Sequence, residues 1–209
     1  MPDPRPTLGF DTSAAHCAAA LLSGERIVAH RHEDMTRGQA ERLMVLLGEL
    51  LQEAGAEWAD LDRIAVGVGP GNFTGIRISV AAARGLSMGL GIPAVGVSTL
   101  DALGLGCARP CVTSVDARGG KLYLAAEGGA PEMAALDALP PLPDGARVIG
   151  FEAARLAAAC GGRPAEPAMP LAEAIARIGA AADPGAARPA PLYIRAPDAA
   201  PARPAPPIA

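Results

Sequence analysis

Hydrophobic positions in the first half of the chain change period several times, and each change marks an element. Thr7 to Phe10, Cys17 to Leu22 and Arg26 to His30 are short apolar-rich runs, with Ser23-Gly24 as a turn signal between the last two. They predict the opening of a β-meander. From Gln39 to Ala54 the spacing becomes helical. Leu43, Leu46, Leu47, Leu50 and Ala54 share one stripe, Met44 and Leu51 widen it, and Gly55 stops the helix. A stripe that wide can cover more than its own sheet. Arg63 to Val68 then reads as an inner strand and Ile76 to Gly89 as a second helix, dense in small residues (Ser79, Ala81, Ala82, Ala83, Gly85, Ser87) that let another backbone come close. Pro93 to Val97 is a further strand, and Ser98 or Thr99 caps a short helix reaching about Leu103.

After Gly104-Leu105-Gly106 the pattern restarts. Cys111 to Val115 and Leu122 to Ala126 predict a hairpin around Asp116-Ala117-Arg118-Gly119-Gly120. Pro140 to Pro143 is a loop, Arg147 to Ile149 a brief strand, and Ala153 to Ala159 and Leu171 to Ala181 are helical. Prolines dominate from Pro184, where Leu192, Tyr193 and Ile194 alone look anchored. A meander followed by helix, strand, helix and strand is not a simple dinucleotide-binding series. It predicts an α/β protein with mixed sheets under helices: a lobe over 1–104, a smaller lobe over 105–195 and a flexible Pro/Ala-rich tail over 196–209.

Composition narrows the function classes. The chain has 209 residues, half of them hydrophobic and only 3% aromatic, so its core rests on Ala, Leu, Ile and Val. Eighteen Lys and Arg against 22 Asp and Glu give a formal charge of -4, which argues against coating nucleic acid unaided. Cys17, Cys107, Cys111 and Cys160 form no CxxC, and Cys107 and Cys111 have no nearby histidine to complete a zinc set, so buried free thiols are the favoured reading over a metal site. The first residues lack the order of a signal peptide and no apolar run is long enough to span a bilayer, so a cytoplasmic location is expected.

Two polar clusters stand at strand ends. Asp11-Thr12-Ser13 reads either as an Asx or Ser/Thr turn or as a magnesium or phosphate site, although no glycine follows Asp11 until Gly24. Gly69-Pro70-Gly71-Asn72-Phe73-Thr74-Gly75, continuing to Ile76-Arg77, reads either as a close helix–strand joint or as a ligand loop. It is not a P-loop, since no Lys-Ser or Lys-Thr follows the glycines. Asp11, Thr12, Ser13, Gly69, Gly71 and Thr74 are thus the candidate cofactor contacts, and Asn72 or Thr74 the cap of the second helix. His16 and Cys17 are adjacent and point to opposite faces of a strand, which disfavours a catalytic pair. No GxSxG or HExxH occurs, and His30 and His32 share a face with no third ligand. Asp116 and Arg118 are placed to pair and brace their turn.

Leu8 to Ser13, Gly67 to Ile78, Asp116-Ala117-Arg118 with Tyr123, and Pro191-Leu192-Tyr193-Ile194-Arg195 resemble the signature blocks of the TsaB (YeaZ) family of bacterial tRNA threonylcarbamoyladenosine biosynthesis proteins. The resemblance runs from about Thr7 to Arg195. It implies an actin-like ATPase (ASKHA, ribonuclease H-like) fold of two lobes. It also implies a non-catalytic, cytoplasmic subunit with no cofactor and no metal, a homodimer when alone. Such a subunit binds the TsaD-type transferase that modifies N6 of adenosine at tRNA position 37, joined by a TsaE-type ATPase, and meets tRNA only through the complex. The residues that the resemblance places at the partner interface are Leu43, Leu47, Leu50, Ile76, Ser79, Ala82, Ala83 and Leu86. Pro70, Asn72, Phe73, Gly75, Arg77, Asp116 and Arg118 fall to the structural motifs. Gln39 stands where many relatives have histidine, and residues 104 to 190 are shorter than the pattern. The alternative is a small-molecule kinase or ATPase of the same superfamily acting through Asp11, Thr12 and the glycine loop.

Overall fold

A computed structural model describes residues 6–126, 129–183, 185 and 187–194. The expected tail over 196–209 and Arg195 lie outside the described residues. Strands β1 (Thr7–Asp11), β2 (His16–Ser23) and β3 (Arg26–Asp34) form the meander, followed by α1 (Gln39–Glu53), β4 (Arg63–Gly67), α2 (Phe73–Leu90), β5 (Ala94–Val97) and α3 (Thr99–Gly104). The sheet order is β3-β2-β1-β4-β5, with β1 antiparallel to β2 and parallel to β4.

The same plan then repeats. β6 (Cys111–Arg118), β7 (Lys121–Ala126) and β8 (Glu132–Ala135) are a second meander, and β9 (Arg147–Gly150), α4 (Ala153–Ala159), β10 (Arg163–Pro164) and α5 (Leu171–Ala181) follow. The second sheet is ordered β10-β9-β6-β7-β8, with β6 antiparallel to β7 and parallel to β9. Two sheets with one topology make the actin-like, two-lobed architecture that the resemblance implies.

Period-two alternation in the central strands gives the first sheet two apolar faces. Leu8, Phe10, Cys17, Ala19, Leu21, Ile64 and Val66 pack under α1 and α2. The opposite face is lined by Gly9, Ala18, Ala20 and Ala65, and small side chains there let a helix lie close. That helix is α5, from the far end of the chain: a Cβ on Gly9 would come 2.7 Å from the Ala176 Cβ, and one on Gly179 would overlap Ala65. Arg63 locks the arrangement. Its guanidinium, buried at the end of β4, donates through Nη1 to the carbonyls of Gly179, Ala180 and Ala182 at 2.7, 3.1 and 2.6 Å. Gly179 and Ala180 belong to the last turn of α5, whose carbonyls have no N–H four residues on within the helix, and Ala182 is its C-cap.

The expected lobe over 105–195 therefore needs a correction. Its last helix covers the first sheet, while α3, from the first half, packs on β6 and β9 of the second. Ala65, Val97 and Ala102 meet Ala174 and Ile175 in a shared cluster between the sheets. The second lobe keeps a core of its own, in which Val112, Leu122, Leu124 and Val148 pack against Leu156, Ala157 and Cys160 of α4 and its end.

Candidate functional site: a closed polar joint and an open apolar groove

The two polar clusters of the sequence are brought together, and they satisfy each other. Thr12 Oγ1 donates to the Gly75 carbonyl at 2.7 Å, and the Asn72 N–H donates to the Ser13 carbonyl at 2.6 Å. Asn72 caps α2, its Oδ1 accepting from the N–H groups of Thr74 and Gly75 at 3.0 Å each. The glycines are required by contact. A Cβ on Gly75 would overlap the Thr12 carbonyl oxygen, one on Gly71 the Ser13 carbonyl oxygen, and one on Gly67 the Asp11 carboxylate. Gly69 adopts φ 92° beneath Ile76, a left-handed conformation suited to glycine, ahead of buried Pro70.

Asp11 is fully buried. Its Oδ1 accepts from the Ser13 N–H and hydroxyl at 2.9 Å each and lies 2.7 Å from His16 Nε2. Its Oδ2 faces Gly67 and meets no hydrogen-bond partner among the described residues.

This geometry corrects the cofactor reading of Asp11, Thr12 and Gly69. All three are buried in the joint, and the donors that an anion would need from Ser13, Asn72, Thr74 and Gly75 are already committed. Ser13, Gly71 and Thr74 do reach the cleft between the lobes, a space of about 570 Å³ also lined by Thr36, Gln39, Asp116, Arg118 and Tyr123. Gln39 is held by a hydrogen bond from Nε2 to the Met35 carbonyl at 3.1 Å. Asp116 braces its turn through the backbone: its carboxylate accepts the Arg118 N–H at 2.7 Å, and Arg118 sits at φ 62° ahead of Gly119 and Gly120. That replaces the expected side-chain pair of Asp116 with Arg118.

Arg77 lies against the start of α2 and the C-terminal segment. Its guanidinium stacks 3.7 Å over the Phe73 ring, and Nε donates to the Tyr193 hydroxyl at 3.2 Å. Phe73 and Tyr193 rings lie 5.9 Å apart, so the helix start clasps the returning C-terminal segment. The Leu192 N–H donates to Val68, and Arg84 Nε donates to the Pro189 carbonyl at 2.7 Å, extending the clasp along α2.

The expected interface residues divide. Leu43, Leu47, Leu50, Ile76, Ser79 and Ala83 are buried in the first lobe's own core. Ala82 and Leu86 do line an open groove between α1 and α2. With Met44, Gly85, Gly89 and Trp58 they bound an apolar concavity of about 500 Å³. Around it stand Met44, 44% exposed, and, on the same two helices, Val45 at 52% and Met88 at 80%. No Cβ placed at Gly85 or Gly89 meets a neighbour, so the groove is open to solvent. Sequence reasoning missed Met88 because it sits in a run of Ser and Gly rather than on the leucine stripe.

Burial pushes the Cys17 thiol up to about 11, and His16 lies on the other face, so the pair is not a nucleophile and base. Among the described residues no group of three or more His, Cys, Asp or Glu is placed to hold a metal ion, and no helix is long and apolar enough to cross a membrane.

Residues 27–138 match the family model of TsaD, tRNA N6-adenosine threonylcarbamoyltransferase. The chain is 34% identical over 123 residues to the Escherichia coli K12 tRNA threonylcarbamoyladenosine biosynthesis protein TsaB, covering 56% of this chain and 53% of that protein. An uncharacterized protein of Mycobacterium tuberculosis H37Rv is 35% identical over 165 residues, covering 64% and 76%. The chain spans about half the length of the first TsaB relatives it matches. The solved structure of YeaZ from Pseudomonas aeruginosa superposes with a TM-score of 0.71 at 26% identity, covering 84% of this chain and 90% of that one. A second Pseudomonas aeruginosa structure, described as similar to the peptidase YeaZ, gives a TM-score of 0.74 at 25% identity, covering 91% and 99%.

Proposed function

The chain belongs to the TsaB (YeaZ) branch of the TsaD-type family, and on that premise we propose that it is a non-catalytic subunit supporting threonylcarbamoyl transfer to N6 of adenosine at position 37 of tRNAs that read codons beginning with A. The observation that carries the reading is the contrast between its two candidate sites. The joint where a relative with nucleotide chemistry would seat phosphates is filled by Thr12, Ser13 and the glycine loop. The groove between α1 and α2 is apolar and uncovered.

The partner in this reading is a TsaD-type transferase docking on α1 and α2, with a TsaE-type ATPase joining the larger assembly. In the transferase's absence a second copy of the chain takes the same face, and tRNA is met through the complex. The working compartment is the cytoplasm. Covering Met44, Met88 and Leu86 removes apolar area from water worth roughly 1.5–3 kcal/mol per fully buried side chain, before association costs.

Reconstitution tests this directly. The host's TsaD-type and TsaE-type proteins, threonylcarbamoyl-adenylate and unmodified tRNA are combined with and without the chain, and modified nucleoside is counted by mass spectrometry. Formation that depends on the chain, with no ATP hydrolysis by the chain alone, is expected. Equal formation without it, or magnesium-dependent hydrolysis lost on Asp11→Asn, would overturn the reading in favour of a kinase or ATPase.

A further inference from the structure

The second sheet ends in a feature that neither the joint nor the groove uses. β9 and β10 pair in parallel register with Arg147 opposite Arg163. Residues paired across neighbouring strands share a face, and Val148 points into the lobe core, so Arg147 points away from it. The two side chains thus leave the sheet on the same face at its β10 edge, a like-charge placement that costs stability unless something neutralises it.

Neither Arg147 nor Arg163 makes a side-chain hydrogen bond or ion pair among the described residues. Both line a concavity of about 320 Å³ whose other walls are Ala108, Arg109, Gly145, Gly161 and Gly162. No carboxylate and no aromatic ring is among those walls. The floor is backbone: Gly145 and Gly161 sit at φ 68° and 60°, and a Cβ on Gly162 would overlap the Ala146 carbonyl. Concentrated guanidinium charge over a glycine floor is notable in a chain whose formal charge is -4.

We propose that Arg147 and Arg163 hold phosphate groups. The absence of an aromatic platform leaves bases unread, and the open sheet edge admits a continuous strand, so the chemistry fits a phosphodiester backbone or a free phosphate rather than a nucleobase. The RNA arm rests on the function proposed above, while the site itself rests on the arginines.

The test compares the full chain with the variant Arg147→Gln/Arg163→Gln. Anisotropy of labelled tRNA is read across a salt series with each protein in complex with the TsaD-type partner, and the melting temperature of each protein alone is read with inorganic phosphate. For an RNA backbone site, the variant binds tRNA about tenfold more weakly at low salt, and its salt slope falls by about 2. For a free-phosphate site, phosphate raises the wild-type melting temperature but not the variant's, while tRNA binding is unchanged. Equal behaviour of the two proteins in both arms overturns the proposal. Light scattering of the variant with the TsaD-type protein is run in parallel. Complex formation there is independent of these arginines, so failure of the phosphate site and failure of the accessory reading are seen separately.

Discussion

The Thr12 hydroxyl and the Gly75 carbonyl lie 63 positions apart in sequence and 2.7 Å apart in space. That bond closes the mouth of the first sheet, because it ties the turn after β1 to the first turn of α2. The Thr12 carbonyl also presses on Gly75, so the joint tolerates no side chain there, and the N–H groups of Thr74 and Gly75 are already committed to Asn72.

Gly75→Ala is therefore expected to cost about 2 kcal/mol or more, since the overlapped atom is a carbonyl oxygen with no freedom to move aside. Thr12→Val keeps the shape and loses the hydrogen bond, costing about 1 kcal/mol. Urea unfolding of both variants checks the order. A Gly75→Ala protein as stable as wild type would contradict the geometry.

Arg63→Met should destabilise by about 1.5–3 kcal/mol, because a cationic donor to three carbonyls at the C-terminal end of α5 is replaced by an apolar chain of similar length. The loss should appear as faster amide exchange in α5 before β1 and β4 are affected, which hydrogen–deuterium exchange resolves.

A third prediction concerns acid. Hydrogen bonds from Arg42 hold Glu33 and Glu49 below their ordinary value of 4.5. Carboxylates depressed in the folded state add stability above that value and lose it as pH falls through the lowered ones. Wild type should exceed Arg42→Gln in stability at pH 6, with the gap shrinking below about pH 4. Both groups are largely solvated, so the gap is small and salt-sensitive. Melting temperatures across pH 3 to 7 measure it, and a gap that widens in acid would contradict the assignment.

Thiol reactivity should separate the cysteines. Burial raises Cys17 to about 11 and, with a hydrogen bond to Cys107, Cys111 to about 12, while Cys160 is buried in the second core. Only partly exposed Cys107 should label rapidly with N-ethylmaleimide at pH 8, with all four labelling in urea. Intact-mass kinetics and peptide mapping decide this, and rapid labelling of native Cys17 would contradict the packing.

Much of the first lobe was legible from local pattern. β1, β2, β3, α1 and β4 follow from their own periods and turn residues, and the glycine loop announced a close approach. The leucine stripe of α1 is legible as apolar, but its cover is not. Periodicity reports that a face is covered without saying by what, and the sheet under α1 takes Leu43, Leu47 and Leu50 for itself. β8 escaped because Glu132-Met133-Ala134-Ala135 has no β-branched or aromatic residue, and β10 because it is Arg163-Pro164 on an edge. The return of α5 to the first sheet depends on Gly9 and Ala65 facing Ala176 and Gly179, a fit across the whole chain that no local window contains.

The central claim is that the α1–α2 groove is where this protein works. Light-scattering titration of the chain with its host's TsaD-type protein, repeated with Met88→Glu, tests it most directly. Met88 is 80% exposed, so the substitution should leave the melting temperature unchanged. The account predicts a saturable one-to-one complex for wild type and at least about a tenfold loss of affinity for Met88→Glu, as expected for a charge forced into an apolar contact. No complex with wild type, or equal affinity for the variant, would contradict it.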